Sequence, residues 1–318
     1  MIPNYPTDCD IPLPRQGHWA EAVHRFDAKD AVALRAAEAC GRPLLIRGKP
    51  GVGKSQTARA AAAAAQRPLL SLVIDGRSEA PDLMWRFDAV RRLADAQRQQ
   101  SADQPLPPED FYVRPEALWW AYDWAGALQW LQRSGQPPDL PVDPPARWAP
   151  GQPVVLLIDE IDKADPDLPN ALLDVLANNG FRKPFGGAPV QCAAAARPLI
   201  IITTNEEREL PAAFLRRCLV LTLALPDTEA AFCDYLAQMG QRHQAVRLQA
   251  EPKAVCHVLG PAAQRLWAAR QQLGDAADYL PGLAEYLDLV TALARLYPGA
   301  QLQADQLDAL QDLAYRKG

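Results

Sequence analysis

The chain has 318 residues and a mass of 34.8 kDa, length enough for one large domain and a small one with a sizeable buried core. Its 33 basic and 38 acidic residues leave a net charge of −5 and a pI near 5.5, which excludes the overall basic field that would draw a nucleic acid. Cys9, Cys40, Cys192, Cys218, Cys233 and Cys256 lie far apart, without a C-x-x-C pair or zinc-like spacing, and no apolar run approaches the ~18 residues of a membrane span, so reduced, mostly packed thiols in a soluble, cytoplasmic chain without membrane contact are expected.

Residues 1–26 open with the proline-rich, polar stretch MIPNYPTDCDIPLPRQ and are expected to form an extended N-terminal arm without chemistry of its own. From Asp27 to Cys40, Val32, Leu34 and the intervening alanines predict a helix that stops at Gly41, after which Pro43 opens the apolar run Leu44 to Ile46. An alanine-rich helix from Lys54 to Gln66 follows. Further short apolar runs are Leu69 to Ile74, Val154 to Ile158, Leu199 to Ile202 and Leu219 to Leu225. Continuously apolar strands separated by helices predict an α/β fold with a five-stranded parallel sheet covered on both faces. Between the second and third strands, around 104–150, lies an insert with proline-rich boundaries, Gln104 to Glu109 and Gln136 to Pro150, flanking a tryptophan-rich helix, PEALWWAYDWAGALQWLQ. Past Pro226 only helical periodicity remains, in the faces Phe232, Tyr235, Leu236, Met239 and Leu283, Tyr286, Leu287, Val290. Residues 27–225 thus form the α/β domain and 226–318 an all-helical one.

The strongest motif is GKPGVGKS, set between an apolar strand and a helix. It fits the phosphate-binding pattern G-x-x-x-x-G-K-[ST]. Gly48, Pro50, Gly51, Val52, Gly53, Lys54, Ser55 and Gln56 are the candidate cofactor-binding residues. The glycines let backbone N–H groups turn toward phosphate oxygens at a helix N-terminus, Lys54 would reach the β- and γ-phosphates of ATP, and the Ser55 hydroxyl would sit on Mg²⁺. Serine stands here where threonine is commoner, and it keeps the hydroxyl. The second motif is VVLLIDEIDKAD, a strand whose C-terminal end falls where ligands bind in open α/β sheets. Asp159 would hold Mg²⁺ through water and Glu160 would orient or deprotonate an attacking water. Asp162 and Asp165 are read as marks of the strand reaching solvent, with Asp165 and Pro166 starting a helix that Gly180 ends. Asn205, closing the strand PLIIITTNEE, is placed to hydrogen-bond the γ-phosphate and the lytic water. Arg216 and Arg217, in LPAAFLRRC, read without context as a solvated pair compatible with a helix C-terminus.

In this order the motifs resemble those of AAA+ P-loop ATPases, an αβα sandwich followed by a small helical lid, and within them the MoxR family, over residues 27–318. GKPGVGKS, LLIDEIDKADPDLPNALLDVLANNGF and IITTNEERELPAAFLRRC carry the resemblance. RSEAPDLMWRFDAVRRLADAQ and RPEALWWAYDW are similar to MoxR ATPases found beside von Willebrand A-type or protease-like partners, some in bacterial conflict systems. The resemblance implies ATP hydrolysis in a homo-oligomeric ring, a hexamer, that remodels a protein client. It also reverses the reading of the arginine pair: Arg217, and with it Arg216, would act as an arginine finger on the nucleotide of the neighbouring copy. The segment near 111–132 falls where a helical insert would be, and Phe181 to Val190, with its Gly186-Gly187 turn, where a hairpin would be. Trp119, Trp120 and Phe185 are then candidates for client contact, against a core role for the tryptophans. The family's lid arginine is missing: LPGLAEYLDLV offers Glu285, leaving Arg265 or Arg270 as substitutes. The competing functions are a nucleotide-gated assembly switch, a nucleic-acid translocase, opposed by the acidic balance, and a metabolite kinase, which leaves the arginine pair unexplained.

Overall fold

In the computed structural model of the chain the described residues are 2–17, 19–98, 105–135, 140–248, 251, 253–274 and 280–315. Gln104 and residues 136–139 of the expected insert boundaries lie outside them. In chain order the elements are β1 (Ile11–Leu13), β2 (Ala22–His24), α1 (Ala28–Cys40), β3 (Leu44–Arg47), α2 (Lys54–Ala65), β4 (Leu69–Val73), α3 (Ala80–Met84), β5 (Trp85–Phe87), α4 (Ala89–Arg98), β6 (Val113–Pro115), α5 (Ala117–Tyr122), α6 (Trp124–Arg133), β7 (Val155–Asp159), α7 (Asp167–Asn178), β8 (Gly180–Phe181), β9 (Val190–Gln191), β10 (Leu199–Thr204), α8 (Ala212–Leu215), β11 (Leu219–Thr222), α9 (Glu229–Arg247), α10 (Leu259–Leu273), α11 (Leu283–Leu296) and α12 (Ala300–Tyr315).

The expected five strands are present and form one sheet in the order β11-β3-β10-β7-β4. β10 and β4 both run parallel to β7, with Leu199 and Leu69 each opposite Val155. Interior strands are buried along their length, as in LIIITT of β10, which is why their sequences are continuously apolar. The edge strands leak: Val73 of β4 and Val220 of β11 stay exposed.

The chain forms two compact units, one of residues 1–5, 28–46 and 61–221, the other of 6–27, 47–60 and 222–318. The first has a core of Leu45, Leu156, Ile158, Ile202, Phe214 and the insert tryptophans. The second has a helical core around Phe232, Leu236, Leu266, Tyr286 and Leu293.

The N-terminal residues depart from the extended arm expected of their prolines. β1 and β2 pair antiparallel, Ile11 opposite His24, and Ile11, Leu13, Val23 and Phe26 are buried. Pro12 is tolerated because the ribbon has only two strands and its missing N–H can face outward. The tryptophan stretch is likewise two helices, α5 and α6, because Asp123 leaves helical geometry and its carboxylate accepts the Gly126 N–H at 2.9 Å, capping α6. Before it, β5 and β6 pair antiparallel around α4. α7 starts at Asp167, without a side-chain cap from Asp165, and ends at Asn179 in the left-handed conformation, one residue before the glycine expected to stop it.

Candidate functional site

β3 delivers the chain directly into the glycine loop. Gly51 and Gly53 hold φ of 79° and 97°, which a β-carbon would penalise. A side chain at Gly48 would drive into the Leu223 carbonyl, so that glycine serves a close backbone approach. A β-carbon at Gly53 would meet nothing within 4 Å, so the loop is open on that side. Lys54, buried at the first residue of α2, donates to the Gly48 carbonyl at 2.7 Å and the Lys49 carbonyl at 3.1 Å. A buried ammonium curled over a loop at the N-terminus of a 12-residue helix fits a ligand rich in anionic oxygens.

The next turn of α2 is tied down as well. Arg59 is buried, stacks over Trp19 with 5.3 Å to the ring centroid, and donates to the carbonyls of Pro14 and Ala20. It also holds Gln56 at 2.9 Å. The N-terminal ribbon is thereby latched to the helix that carries the loop. Nothing in the sequence pattern singled out Arg59.

Against the same loop lies the start of α11. A side chain at Gly51 would meet Glu285 and Ala284, and one at Gly282 the Pro50 carbonyl. Glu285 accepts the Gly282 N–H at 2.8 Å, so it closes its own helix start and presents a carboxylate beside the loop. The two arginines offered as lid substitutes are engaged among the helices. Arg265 pairs with Asp308 at 2.9 Å, and Arg270 donates to the Pro281 carbonyl at 2.6 Å and lies over Phe232.

In the other unit, β7 ends in Asp159 and the chain turns sharply at Glu160, which has φ 60° and ψ 46°. A left-handed non-glycine costs of the order of 1–2 kcal/mol and is kept only where the surroundings dictate it. Thr203 of β10 does so. Its buried hydroxyl donates to Asp159 Oδ1 at 2.5 Å and accepts the Glu160 N–H at 2.9 Å. Lys163 reaches Glu160 Oε2 at 2.7 Å, and Asn205 Nδ2 stands 3.4 Å from Oε1. The hydrogen bond to Glu160 holds the Lys163 ammonium above its ordinary titration range.

Asp162 is corrected by the structure. It is 2% exposed and does not face solvent; its Oδ2 accepts the N–H groups of Asn205 and Glu207 at 3.1 and 2.9 Å, which fixes the loop that carries Asn205. The structure brings Asp159, Glu160 and Asn205 together and adds Thr203, Asp162 and Lys163, which the sequence reading had not placed beside them. The only available signal was position: all three flank strand ends already marked.

Arg216 and Arg217 are exposed just past α8. Arg42, at the end of α1, donates to the carbonyls of Arg216, Arg217 and Cys218. The backbone of the pair is therefore pinned while the side chains stay outside; Arg217 Nη1 touches only the Ala213 carbonyl, at 3.3 Å, and neither arginine has an ion pair among the described residues.

The tryptophans resolve toward the core. Trp119 and Trp120 are 0% and 3% exposed, so neither can meet a client as the fold stands. Trp119 packs on Trp130 and Phe181, and Trp120 on Trp124, which meets Trp148. A helix apolar all round is buried, and this one is. The expected hairpin is present, Phe181 opposite Val190, and it is anchored on the insert: Lys183 lies 5.2 and 4.9 Å from the rings of Trp119 and Trp130. Phe185, at φ 60°, stays exposed beside Phe87. Of the cysteines, Cys9 and Cys40 are exposed, while burial pushes Cys192 and Cys218 up to about 11. Among the described residues no helix is long and apolar enough to cross a membrane.

The sequence matches the family described as AAA domain (dynein-related subfamily) over residues 43–218, more than half of the chain. No curated protein matches it. Among solved structures, NtrX from Brucella abortus is similar at 14% identity and a TM-score of 0.48, covering 87% of this chain and 53% of that one. The same protein with ADP gives 14%, 0.48, 87% and 51%, and with ATP 15%, 0.48, 91% and 55%. The chain spans about half the length of these structures.

Proposed function

Because the chain belongs to the AAA domain family, dynein-related subfamily, and is accordingly a nucleotide-binding ATPase, we propose that it is a MoxR-like, ring-forming enzyme whose active site is completed by a neighbouring copy. The client is a protein, remodelled or activated by the ring; a von Willebrand A-type partner is the candidate given by the sequence resemblance. ATP with Mg²⁺ supplies the transferable γ-phosphoryl group and the charge that must be neutralised as it leaves. The loop amides of Gly51 to Ser55 and the Lys54 ammonium grip the phosphates. The Ser55 hydroxyl and the Asp159 carboxylate serve the metal. Among the described residues no cluster of three or more His, Cys, Asp or Glu could hold a metal alone, and a magnesium shared between protein and phosphates needs none. Glu160 takes the proton of the attacking water, and Asn205 orients that water.

The observation that carries the shared site is the Arg42 clamp. It fixes the backbone of Arg216 and Arg217 and leaves both guanidiniums exposed and without ion pairs of their own among the described residues. Such an arginine, offered to the next copy, stabilises the transferring phosphoryl group and is worth ~10³-fold or more. The test is ATPase rate against protein concentration, with particle size followed in ATP. Specific activity should climb with assembly and fall about 10³-fold in Arg217→Ala. Concentration-independent turnover with a dispensable Arg217 removes the shared site.

A second reading, a nucleotide-gated switch that turns over slowly, is favoured by one contact. Glu160 already holds Lys163 at 2.7 Å, a contact that must break before its Oε2 can meet a water. Assembly as complete with Glu160→Gln as with wild type, and no partner-stimulated turnover in wild type, would select the switch.

A further inference from the structure

At one edge of the large sheet, β4 has a strand partner on one side only among the described residues. The Pro68 carbonyl and the Ile74 N–H bond β7, so by the alternation of an extended chain the N–H and C=O of Ser71 point away from β7, to the open side. No backbone hydrogen bond engages them there among the described residues. Beside this edge is a cavity of about 240 Å³. Leu70, Leu72, Trp120 and Leu131 form its apolar wall, Leu140 to Val142 its other side, and among the described residues Arg86, Arg114 and Glu116 are its charged lining.

Arg86 and Arg114 face each other across the β5–β6 pair. Like charges directly opposite on a ladder are unfavourable, and a fold that needs only to close this ribbon has no use for two of them. Glu116 answers one, 3.4 Å from Arg86, whose side chain remains 66% exposed. Arg114 lies beyond salt-bridge distance of any described carboxylate but shares the Glu116 charge with Arg86, with Asp82 also in reach, so the two arginines and Glu116 sum to one positive charge among the described residues at the mouth of an apolar hole. The volume falls below the ~300 Å³ at which small-molecule pockets begin and suits a single large side chain.

We propose that this pocket is a second binding site, which captures the C-terminal residue of a partner polypeptide laid as an added strand along β4, its apolar side chain against Leu72, Leu140 and Val142 and its terminal carboxylate on Arg86 and Arg114. A terminal residue is the economical fit because it carries an apolar side chain and a carboxylate on one Cα. Neighbouring side chains of an extended internal segment diverge to opposite faces. Strand addition supplies affinity through the Ser71 backbone, and the pocket supplies selectivity. The inference does not rest on nucleotide hydrolysis, since none of these residues takes part in it.

The test uses the full chain without nucleotide and N-terminally labelled hexapeptides of serine, threonine and valine ending in leucine or phenylalanine, followed by fluorescence anisotropy. Saturable binding is expected, weakened about tenfold or more when the peptide C-terminus is amidated, since a charge-assisted contact is lost. Arg114→Ala and the Arg86→Ala, Arg114→Ala pair should weaken the free-acid peptides by a similar factor and leave the amides where they were. Ser71→Pro should weaken both forms, because it removes the outward N–H while sparing the bonds to β7. Unchanged circular dichroism shows that each variant folds. Equal binding of acid and amide, insensitivity to both arginines, equal binding of an amidated peptide with an internal aspartate, or no binding at millimolar peptide would each overturn the proposal.

Discussion

At the phosphate loop the main chain carries the recognition: glycines at positive φ, a helix start, and one lysine folded onto loop carbonyls. At the end of β7 the work falls to side chains, each already held by another: Asp159 by Thr203, Glu160 by Lys163 and Asn205, and the Asn205 loop by Asp162. A backbone cradle tolerates change outside its glycines and lysine. A side-chain network passes the loss of one member to the next.

Lys54→Ala gives the sharpest contrast. It removes the ammonium that donates to the Gly48 and Lys49 carbonyls and should lower turnover about 10³-fold, as loss of one preorganised charge stabiliser does, and weaken nucleotide affinity with it. Phosphate release together with a fluorescent-nucleotide titration reads both. Near-normal affinity would mean that the amides alone hold the phosphates. Glu160→Gln should act on the other side of the comparison, lowering turnover about 10²-fold with nucleotide affinity kept, in the range of general-base loss. If affinity falls as well, the two regions do not separate into grip and chemistry.

Asp162→Ala should be felt first as stability. It strands the N–H groups of Asn205 and Glu207, at a cost of about 2 kcal/mol in a denaturant midpoint analysis. Turnover should follow, because the freed loop carries Asn205. A stable variant would show that water or Thr204 can replace the carboxylate.

These expectations also mark how far the sequence could be read. Motif spacing exposes a backbone device, since glycine and lysine at fixed intervals have few other uses, and continuous apolar runs expose β3, β7 and β10 because those strands are buried on both faces. It cannot expose a network whose members are ordinary in isolation. Thr203 is one threonine in a strand that ends in two, and Asp162 looked like a residue reaching water because nothing local tells that β10 will cover it. Arg42 and Arg59 escaped for a related reason: each acts on carbonyls far away in the chain, Arg42 on residues 216–218 and Arg59 on Pro14 and Ala20. The N-terminal ribbon went unseen because its prolines and charges outnumber the buried Ile11, Leu13 and Val23 that fold it.

Thr203→Val is the smallest change and tests the network most directly. Valine keeps the shape of threonine inside the sheet, so packing survives, but it deletes one donor and one acceptor at once. Asp159 loses the hydroxyl that sets its carboxylate, and the half-buried Glu160 N–H loses its Thr203 acceptor while the residue still sits at φ 60°. Net hydrogen bonds of this kind are worth about 1 kcal/mol, so turnover should fall roughly tenfold. Because Thr203 acts through Asp159 and Glu160, kcat should carry the loss and KM for ATP should move little. Thr203→Ser restores the hydroxyl without the methyl group and should recover most of the rate. Equal loss in the serine and valine variants would assign Thr203 to packing alone, and the carboxylate pair would then owe its geometry to the Glu160 turn and Lys163.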